Sequence, residues 1–387
     1  MSNLINVIPG IDPSGFEDIF VNSGLDDEYV FSRLKELKNI ENKFNQNNKE
    51  ILETIFNSYQ DHLNQKHNNR DDFFVLDEYE KLEISKIKTN DHFIRYLVYR
   101  FKYKIFPKLK KIEEYPPCVQ IEPASVCNLR CIMCYQSDKS FSTKKENMGF
   151  MDYELFKKII DELEGKVEAI TLASRGEPTL NKRFIEFLQY MKNKFLAVKI
   201  NTNLNTLTED MANAIFANDV QTLVISADAS DKATYEKIRV KGKYEKLLKN
   251  TEMLYEIRKK YPESRCIIRV SGVKINDKQN LQSMKKIFGK FSDSVAFVNY
   301  LPWESSYENE KNNITEPCTD LWKRIFVWYD GKVNPCDYDY KSILSKHNYK
   351  DSFLKEIWSS DYYNNLRYEH MQKNRESIFP CNRCTNT

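Results

Sequence analysis

The sequence predicts an α/β fold, with a central run of strands and helices set between a mainly helical region and a small cysteine-rich module. Three observations carry this reading. Residues 118–300 alternate short apolar strands with amphipathic helices, and such alternation implies parallel strands joined by right-handed crossovers. Residues 1–115 hold no cysteine and place apolar side chains at helical spacing, as in Leu34, Leu37 and Ile40 or Ile51 and Ile55. Seven of the nine cysteines fall in two groups, at 127–134 and 318–384.

At 387 residues the chain has room for two or three domains. Charged residues make up 30% and hydrophobic ones 41%, as in ordinary soluble proteins. A net charge of +3 is too small to argue for nucleic acid. No apolar run is long enough to cross a bilayer, so no transmembrane segment is expected, and no basic-then-apolar leader opens the sequence. Cysteines without a secretory leader point to a reducing compartment, where close spacing means metal or redox sites. The expected location is cytoplasmic.

Taken in order, Ser23 or Asp26 is placed to cap the first long helix. Residues 93–111 interleave aromatic and basic side chains, and a helix packed on the main domain is expected there over one lying on a membrane. Pro116-Pro117 closes the region. Strands are expected at 119–122, 169–173, 197–201, 222–227, 266–273 and 295–299. Helices are expected near 152–164, 181–193, 208–217, 231–237 and 243–259. Near the end, an alternating strand with Ile325 and Val327, an Asp330-Gly331 turn and a second strand form a hairpin. That hairpin brings Cys318 and Cys336 together, and a helix over 354–371 returns the chain to Cys381 and Cys384.

The first cysteine group, Cys127, Cys131 and Cys134, has the spacing C-x3-C-x2-C, with no histidine or fourth cysteine close by. A structural zinc ion takes four ligands. On a 4Fe–4S cluster, three thiolates leave one iron open to an exogenous ligand. The four C-terminal cysteines suit either an all-cysteine zinc site or a fully ligated iron–sulfur cluster.

C-x3-C-x2-C just after the strand Val119–Ile121 resembles the signature of the radical S-adenosylmethionine (SAM) superfamily. The resemblance implies a partial (β/α)6 TIM-like barrel over residues 116–305, with its site at the C-terminal strand ends. It implies a 4Fe–4S cluster on the three cysteines, whose open iron binds SAM. One-electron cleavage of SAM then yields a 5′-deoxyadenosyl radical that takes hydrogen from a substrate.

The resemblance also assigns contacts. Met133 and Tyr135 flank the third cysteine, where the family often has an aromatic residue against the adenine. Arg175-Gly176-Glu177-Pro178 resembles the family's GGEP motif, with arginine for the first glycine. Gly176 would there permit close backbone approach, and Glu177 would hold SAM's ammonium. Asn201 and Asn203, in a T-N-G-like turn with Leu204 for the glycine, offer amides to the ribose. Ser226 and Asp228 resemble an S-L-D motif for ribose or carboxylate, and Arg239 suits SAM's carboxylate. Arg269 shares a strand face with Ser271 and is the expected contact to substrate or SAM, since a buried arginine needs an anion. Cys266 is a candidate hydrogen donor by analogy with epimerases of the superfamily, although its parity is opposite to that of Arg269.

The pattern C-x12-G-x4-C followed by C-x2-C resembles the SPASM/Twitch extension, over residues 306–387. It implies an auxiliary 4Fe–4S cluster on Cys318, Cys336, Cys381 and Cys384. Full SPASM domains carry seven cysteines for two clusters. Four cysteines allow one, fully ligated and fit to conduct electrons. The expected reaction is dehydrogenation of a sugar, an aminocyclitol or a related small molecule at a carbon bearing hydroxyl or amine. The auxiliary cluster accepts the second electron, and flavodoxin or ferredoxin serves as donor. Alternatives are crosslinking or epimerisation of a ribosomally made peptide, redox-neutral sugar epimerisation, and a non-catalytic zinc protein. No G-x-G-x-x-G fingerprint and no winged-helix peptide-recognition pattern is visible.

Overall fold

The computed structural model describes residues 16–21, 24–37, 45–66, 70–276 and 279–385. It opens with a strand, β1 (Phe16–Val21), in a region expected to be mainly helical, followed by α1 (Asp27–Leu37), α2 (Gln46–Leu63), α3 (Glu78–Ser85) and α4 (Asn90–Leu109). Asp26 accepts the Tyr29 N–H at 2.7 Å and so caps α1 as expected. Ser23 and Ile40 lie outside the described residues. The aromatic–basic segment forms α4, with Phe93, Tyr96, Leu97 and Phe101 buried. Its basic residues serve internal pairs: Arg100 and Lys104 both grip Glu80 of α3, at 2.5 and 2.8 Å.

The middle of the chain runs β2 (Cys118–Ile121), β3 (Arg130–Cys131), α5 (Lys139–Ser142), α6 (Tyr153–Leu163), β4 (Ala169–Leu172), α7 (Phe184–Met191) and β5 (Ala197–Thr202). It continues through α8 (Glu209–Ala217), β6 (Thr222–Ser226), α9 (Lys232–Ile238), β7 (Arg239–Val240), α10 (Tyr244–Arg258), β8 (Ile267–Lys274), α11 (Leu281–Phe288) and β9 (Ser294–Asn299). The six expected strands are present with ends shifted by at most one residue, whereas α11 was not expected. Strands β2, β4, β5, β6, β8 and β9 pair in parallel, with β1 antiparallel on the far edge.

The C-terminal part holds α12 (Asp320–Lys323), β10 (Arg324–Val327), β11 (Lys332–Asn334), β12 (His347–Asn348), α13 (Leu354–Trp358) and α14 (Asp361–Met371). The expected single helix is broken at Ser359-Ser360. The expected hairpin is β10–β11, turning at Gly331 with φ 90°. It does not stand apart. Strand β10 pairs in parallel with β2, so the cysteine-rich module extends the barrel sheet.

Side-chain alternation separates the two faces of the sheet. Val119, Ile121, Ile170, Leu172, Val198, Ile200, Leu223 and Ile225 pack outward in the main hydrophobic core. Thr171, Lys199, Asn201, Ser226 and Ser271, of opposite parity, line the lumen and keep accessible surface. The N-terminal helices close the lower end of that lumen. Cys118, Ala169 and Ala197, which open β2, β4 and β5, share a core with Phe74, Tyr96 and Phe101. Thr222 at the start of β6 bonds to Tyr79 and Glu83 of α3, at 3.4 and 3.2 Å.

Candidate active site and auxiliary cluster site

The loop after β2 carries Cys127, Cys131 and Cys134, and each sulfur faces a nitrogen donor. The Leu129 N–H lies 3.4 Å from Cys127 Sγ, the Gln136 N–H 3.5 Å from Cys134 Sγ, and Arg239 Nη1 3.8 Å from Cys131 Sγ. Pairing of β3 with β7 sets Cys131 opposite Arg239. Leu129, Met133, Ile238, Ile275 and Tyr300 wall the loop with apolar surface. Burial pushes the Cys127 thiol up to about 12 and raises Cys131 and Cys134 as well. Donors aimed at sulfurs in a dry pocket suit thiolates held by a cationic centre. The three residues fit the iron–sulfur cluster their spacing implies.

Beside this loop, β4 ends in the turn Ser174-Arg175-Gly176-Glu177. Ser174 has φ 149°, a strained value for a residue with a side chain. A Cβ on Gly176 would lie 2.4 Å from the carbonyl oxygens of Ala124 and Val126. The glycine therefore admits the segment leading into the cysteines, not the cofactor. Glu177 is bonded within the protein. Its carboxylate accepts from Thr179 Oγ1 and Thr202 Oγ1, both at 2.7 Å, and from the Asn203 N–H at 2.8 Å. Those bonds make it a bracket between the turn and the end of β5.

Two aromatic or cationic neighbours also turn elsewhere. Tyr135 donates to the Ser174 carbonyl at 2.6 Å, and its ring stacks on Tyr340 and Trp303 at 5.0 and 6.2 Å. Expected against the adenine, it is engaged with the C-terminal module, because those rings bury it on both faces. Met133 remains in the wall of the cysteine loop. Arg175 faces that module too. Its guanidinium is bidentate to Glu122 (2.8 and 2.6 Å), donates to the Tyr340 carbonyl at 3.0 Å and lies 4.3 Å over the Trp328 ring.

At the end of β5, Asn203 Nδ2 donates to Asn128 Oδ1 at 2.8 Å, tying the strand to the cysteine loop. Asn201 Oδ1 is buried and has no hydrogen-bond partner among the described residues. Ser226 and Ser271 stand opposite each other on β6 and β8. Asp228 and Arg239, expected as separate ligands of SAM, pair with each other at 2.6 Å. Asp228 accepts the Val273 N–H as well, at 2.7 Å. Opposite charges buried this close satisfy one another, and Arg239 is thereby aimed at Cys131.

Arg269 lies two residues below Ser271, with its guanidinium 4.3 Å over the Tyr79 ring of α3. That contact sets it toward the barrel floor, on the inner face where a contact to substrate or SAM was expected. Cys266 is fully buried in the outward core, between sheet and helices. Its parity keeps it out of the lumen, which removes it as a hydrogen donor to substrate.

The second group of cysteines converges from three distant stretches. Cys318, Cys336, Cys381 and Cys384 line one cavity with Tyr338 and Arg375. Arg375, which the sequence reading passed over, is buried and braces the site by donating to the carbonyls of Cys381, Glu316 and Cys384 at 3.2, 3.2 and 2.7 Å. Among the described residues no three His, Cys, Asp or Glu side chains gather as around a single metal ion. Thiols ringing a cavity fit the larger body of an iron–sulfur cluster.

Next to Cys336, Asp337 is buried and accepts from Gln120 Nε2, on the inner face of β2, at 3.3 Å. Its Oδ1 has no hydrogen-bond partner among the described residues. This carboxylate was missed in the sequence, where only its place after a cysteine marked it.

Comparison with known proteins agrees with this geometry. A model of the radical SAM superfamily matches residues 121–287, and one of the SPASM iron–sulfur cluster-binding domain matches residues 318–385. The chain is similar to the tungsten-containing aldehyde ferredoxin oxidoreductase cofactor-modifying protein of Pyrococcus furiosus, 24% identical over 299 residues, covering 64% of this chain and 82% of that protein. It is similar to the mycofactocin maturase MftC of Mycolicibacterium smegmatis, 29% identical over 139 residues, covering 36% of this chain and only 34% of that maturase. Native anSMEcpe with bound AdoMet superposes with a TM-score of 0.51 at 17% identity, over 69% of this chain and 88% of that one. No helix among the described residues is long and apolar enough to cross a membrane. The chain carries a radical SAM domain followed by a C-terminal SPASM iron–sulfur cluster-binding domain.

Proposed function

We propose that this chain oxidises a small polar substrate, a sugar, an aminocyclitol or a related intermediate, at a carbon bearing hydroxyl or amine. The observation that carries this reading is Asp337, a buried carboxylate with a hydrogen-bond-free oxygen, placed between Cys336 and the inner wall of the barrel. When bound, SAM with its cluster supplies the radical that takes the hydrogen atom, and the auxiliary cluster supplies an electron acceptor. Two-electron oxidation must also release a proton from the hydroxyl or amine. Asp337 is the residue assigned to receive it. Met133, Asn201, Ser226 and Ser271 are the side chains left around the lumen mouth to contact cofactor and substrate. A flavodoxin- or ferredoxin-like reductant is the partner this chemistry needs.

The test is anaerobic turnover of reconstituted protein with sugars and aminocyclitols, comparing wild type with Asp337→Asn. The expected outcome is a two-electron-oxidised product whose formation falls about 100-fold or more in the variant, with 5′-deoxyadenosine still formed. A redox-neutral product carrying solvent hydrogen would replace this reading with epimerisation. A second reading keeps the chemistry and changes the substrate to a peptide or cofactor precursor. The names of two relatives, a cofactor-modifying protein and a maturase, favour it.

A further inference from the structure

The barrel lumen holds a cation that the proposed chemistry does not use. Lys199 lies on the inner face of β5, beside Thr171 of β4 and Thr222 of β6. It is solvent-exposed, although Val198 and Ile200 on either side of it are buried. Its strand lies inside the parallel sheet and its neighbours Thr171 and Thr222 share its inner face, so the surface it shows faces the lumen. Among the described residues its ammonium makes no hydrogen bond or ion pair.

The groups near it do not neutralise it. Arg269, on the same inner face of the barrel, adds a second cation. Arg324 is already held by Asp320 at 2.8 Å. The nearby carboxylate is Glu83 of α3, which bonds to Tyr96 Oη and Thr222 Oγ1 at 2.5 and 3.2 Å, and whose burial favours the neutral form. Burial, then the charge of Arg269, draws Lys199 down to about 8. Cys118, the other titratable group nearby, is a buried thiol raised above its usual range. An ammonium so placed is relieved by an anion entering the lumen.

We propose that Lys199 binds an anionic oxygen group of the substrate, a carboxylate or a phosphate, at the floor of the lumen. The word substrate rests on the function proposed above; the anion site does not. From Lys199 to the end of β5 at Thr202 the strand rises roughly 10 Å. A ring carrying a charged substituent spans that distance, with its anion at the floor and its reacting carbon near the cysteine loop. The N-terminal helices acquire a role by the same geometry. Tyr79 and Glu83 form the floor and limit how deep a ligand can reach.

The site is tested on anaerobically reconstituted holoenzyme by reductive methylation with formaldehyde and dimethylamine–borane, followed by peptide mapping. Lys199 is expected to be methylated. Millimolar inorganic phosphate or malonate is expected to slow it severalfold while exposed Lys192 is unaffected, and chloride at equal ionic strength should have no effect. Protection by phosphate alone assigns a phosphorylated substrate, and protection by malonate alone a carboxylated one. A Lys199 that stays unmodified, or that chloride protects equally, overturns the proposal. Lys199→Met gives an independent reading: it should lose the rise in Tm that phosphate or malonate gives the wild type, and a variant that keeps the rise overturns the proposal too. 5′-Deoxyadenosine formation is measured on the same samples. Its absence would sink the radical reading and leave the anion result standing.

Discussion

The two ends of the barrel treat charge in opposite ways. At the mouth, buried charges come in closed pairs: Glu122 with Arg175 at 2.6 Å, and Asp228 with Arg239 at 2.6 Å. Glu177 is likewise satisfied, by hydroxyls and a backbone N–H. At the floor, Lys199 has no such partner among the described residues. Paired charges build a scaffold that holds the cysteine loop and the C-terminal module in place. An uncompensated charge weakens the scaffold, and a chain keeps one where a ligand supplies the missing half.

That contrast fails first, and most visibly, at the cysteines. Replacing Cys127, Cys131 and Cys134 by alanine should abolish 5′-deoxyadenosine formation and lower iron from about eight to about four per chain. Iron and sulfide assays after anaerobic reconstitution decide it; unchanged iron would mean that the loop holds no cluster. Next comes the mouth. Arg175→Met leaves Glu122 buried without its partner and should destabilise the fold by about 3–5 kcal/mol, whereas the double variant Arg175→Met/Glu122→Leu should recover most of that. Denaturant melts would measure both. Equal losses in the single and double variants would show that pairing is not what holds the mouth.

The smallest effect has the opposite sign. Lys199 releases its proton at about 8 in the fold and at 10.5 in the unfolded chain. Between those values the unfolded state binds more protons, so stability due to this group rises with pH across that window. Below pH 8 the charge, partly stripped of water inside the lumen, opposes folding in full. Lys199→Met should therefore be more stable than wild type at pH 7, by about 1 kcal/mol after discounting for water in the lumen. The gain should fade as pH climbs toward 10. Tm measured against pH for the two proteins checks it, and a variant less stable at pH 7 would show that Lys199 has a structural partner after all.

Much of the fold was legible because its signals are local. Strand ends came within one residue, since apolar runs such as Leu223–Ile225 leave little choice of period. The cysteine groups were legible because spacing alone carries ligand chemistry. What the sequence hid was direction. Tyr135 and Arg175 sit beside the third cysteine and inside the GEP turn, yet both face the C-terminal module, because the rings of Tyr340 and Trp328 arrive from far along the chain. Asp228 and Arg239 were read as two ligands because nothing in their spacing announces an ion pair. Strand parity did foretell the fate of Cys266. It also put Arg269 on the inner face, but it says nothing of height within the lumen, where the guanidinium lies over Tyr79 of α3. α11 escaped notice because Leu281–Phe288 is short and half polar.

The pairing of β10 with β2 has a consequence in the order of synthesis. Strand β2 emerges early, but the neighbour that covers its open side follows roughly 200 residues later. At about 5–20 residues per second a ribosome leaves that edge bare for roughly 10–40 s. Through this interval the strand leading to the cysteines is a sticky, unpaired ribbon, and the loop itself is within reach of whatever delivers iron. A chain cut short before β10 would keep that ribbon exposed for good, and aggregation, not simple loss of the second cluster, would be its fate.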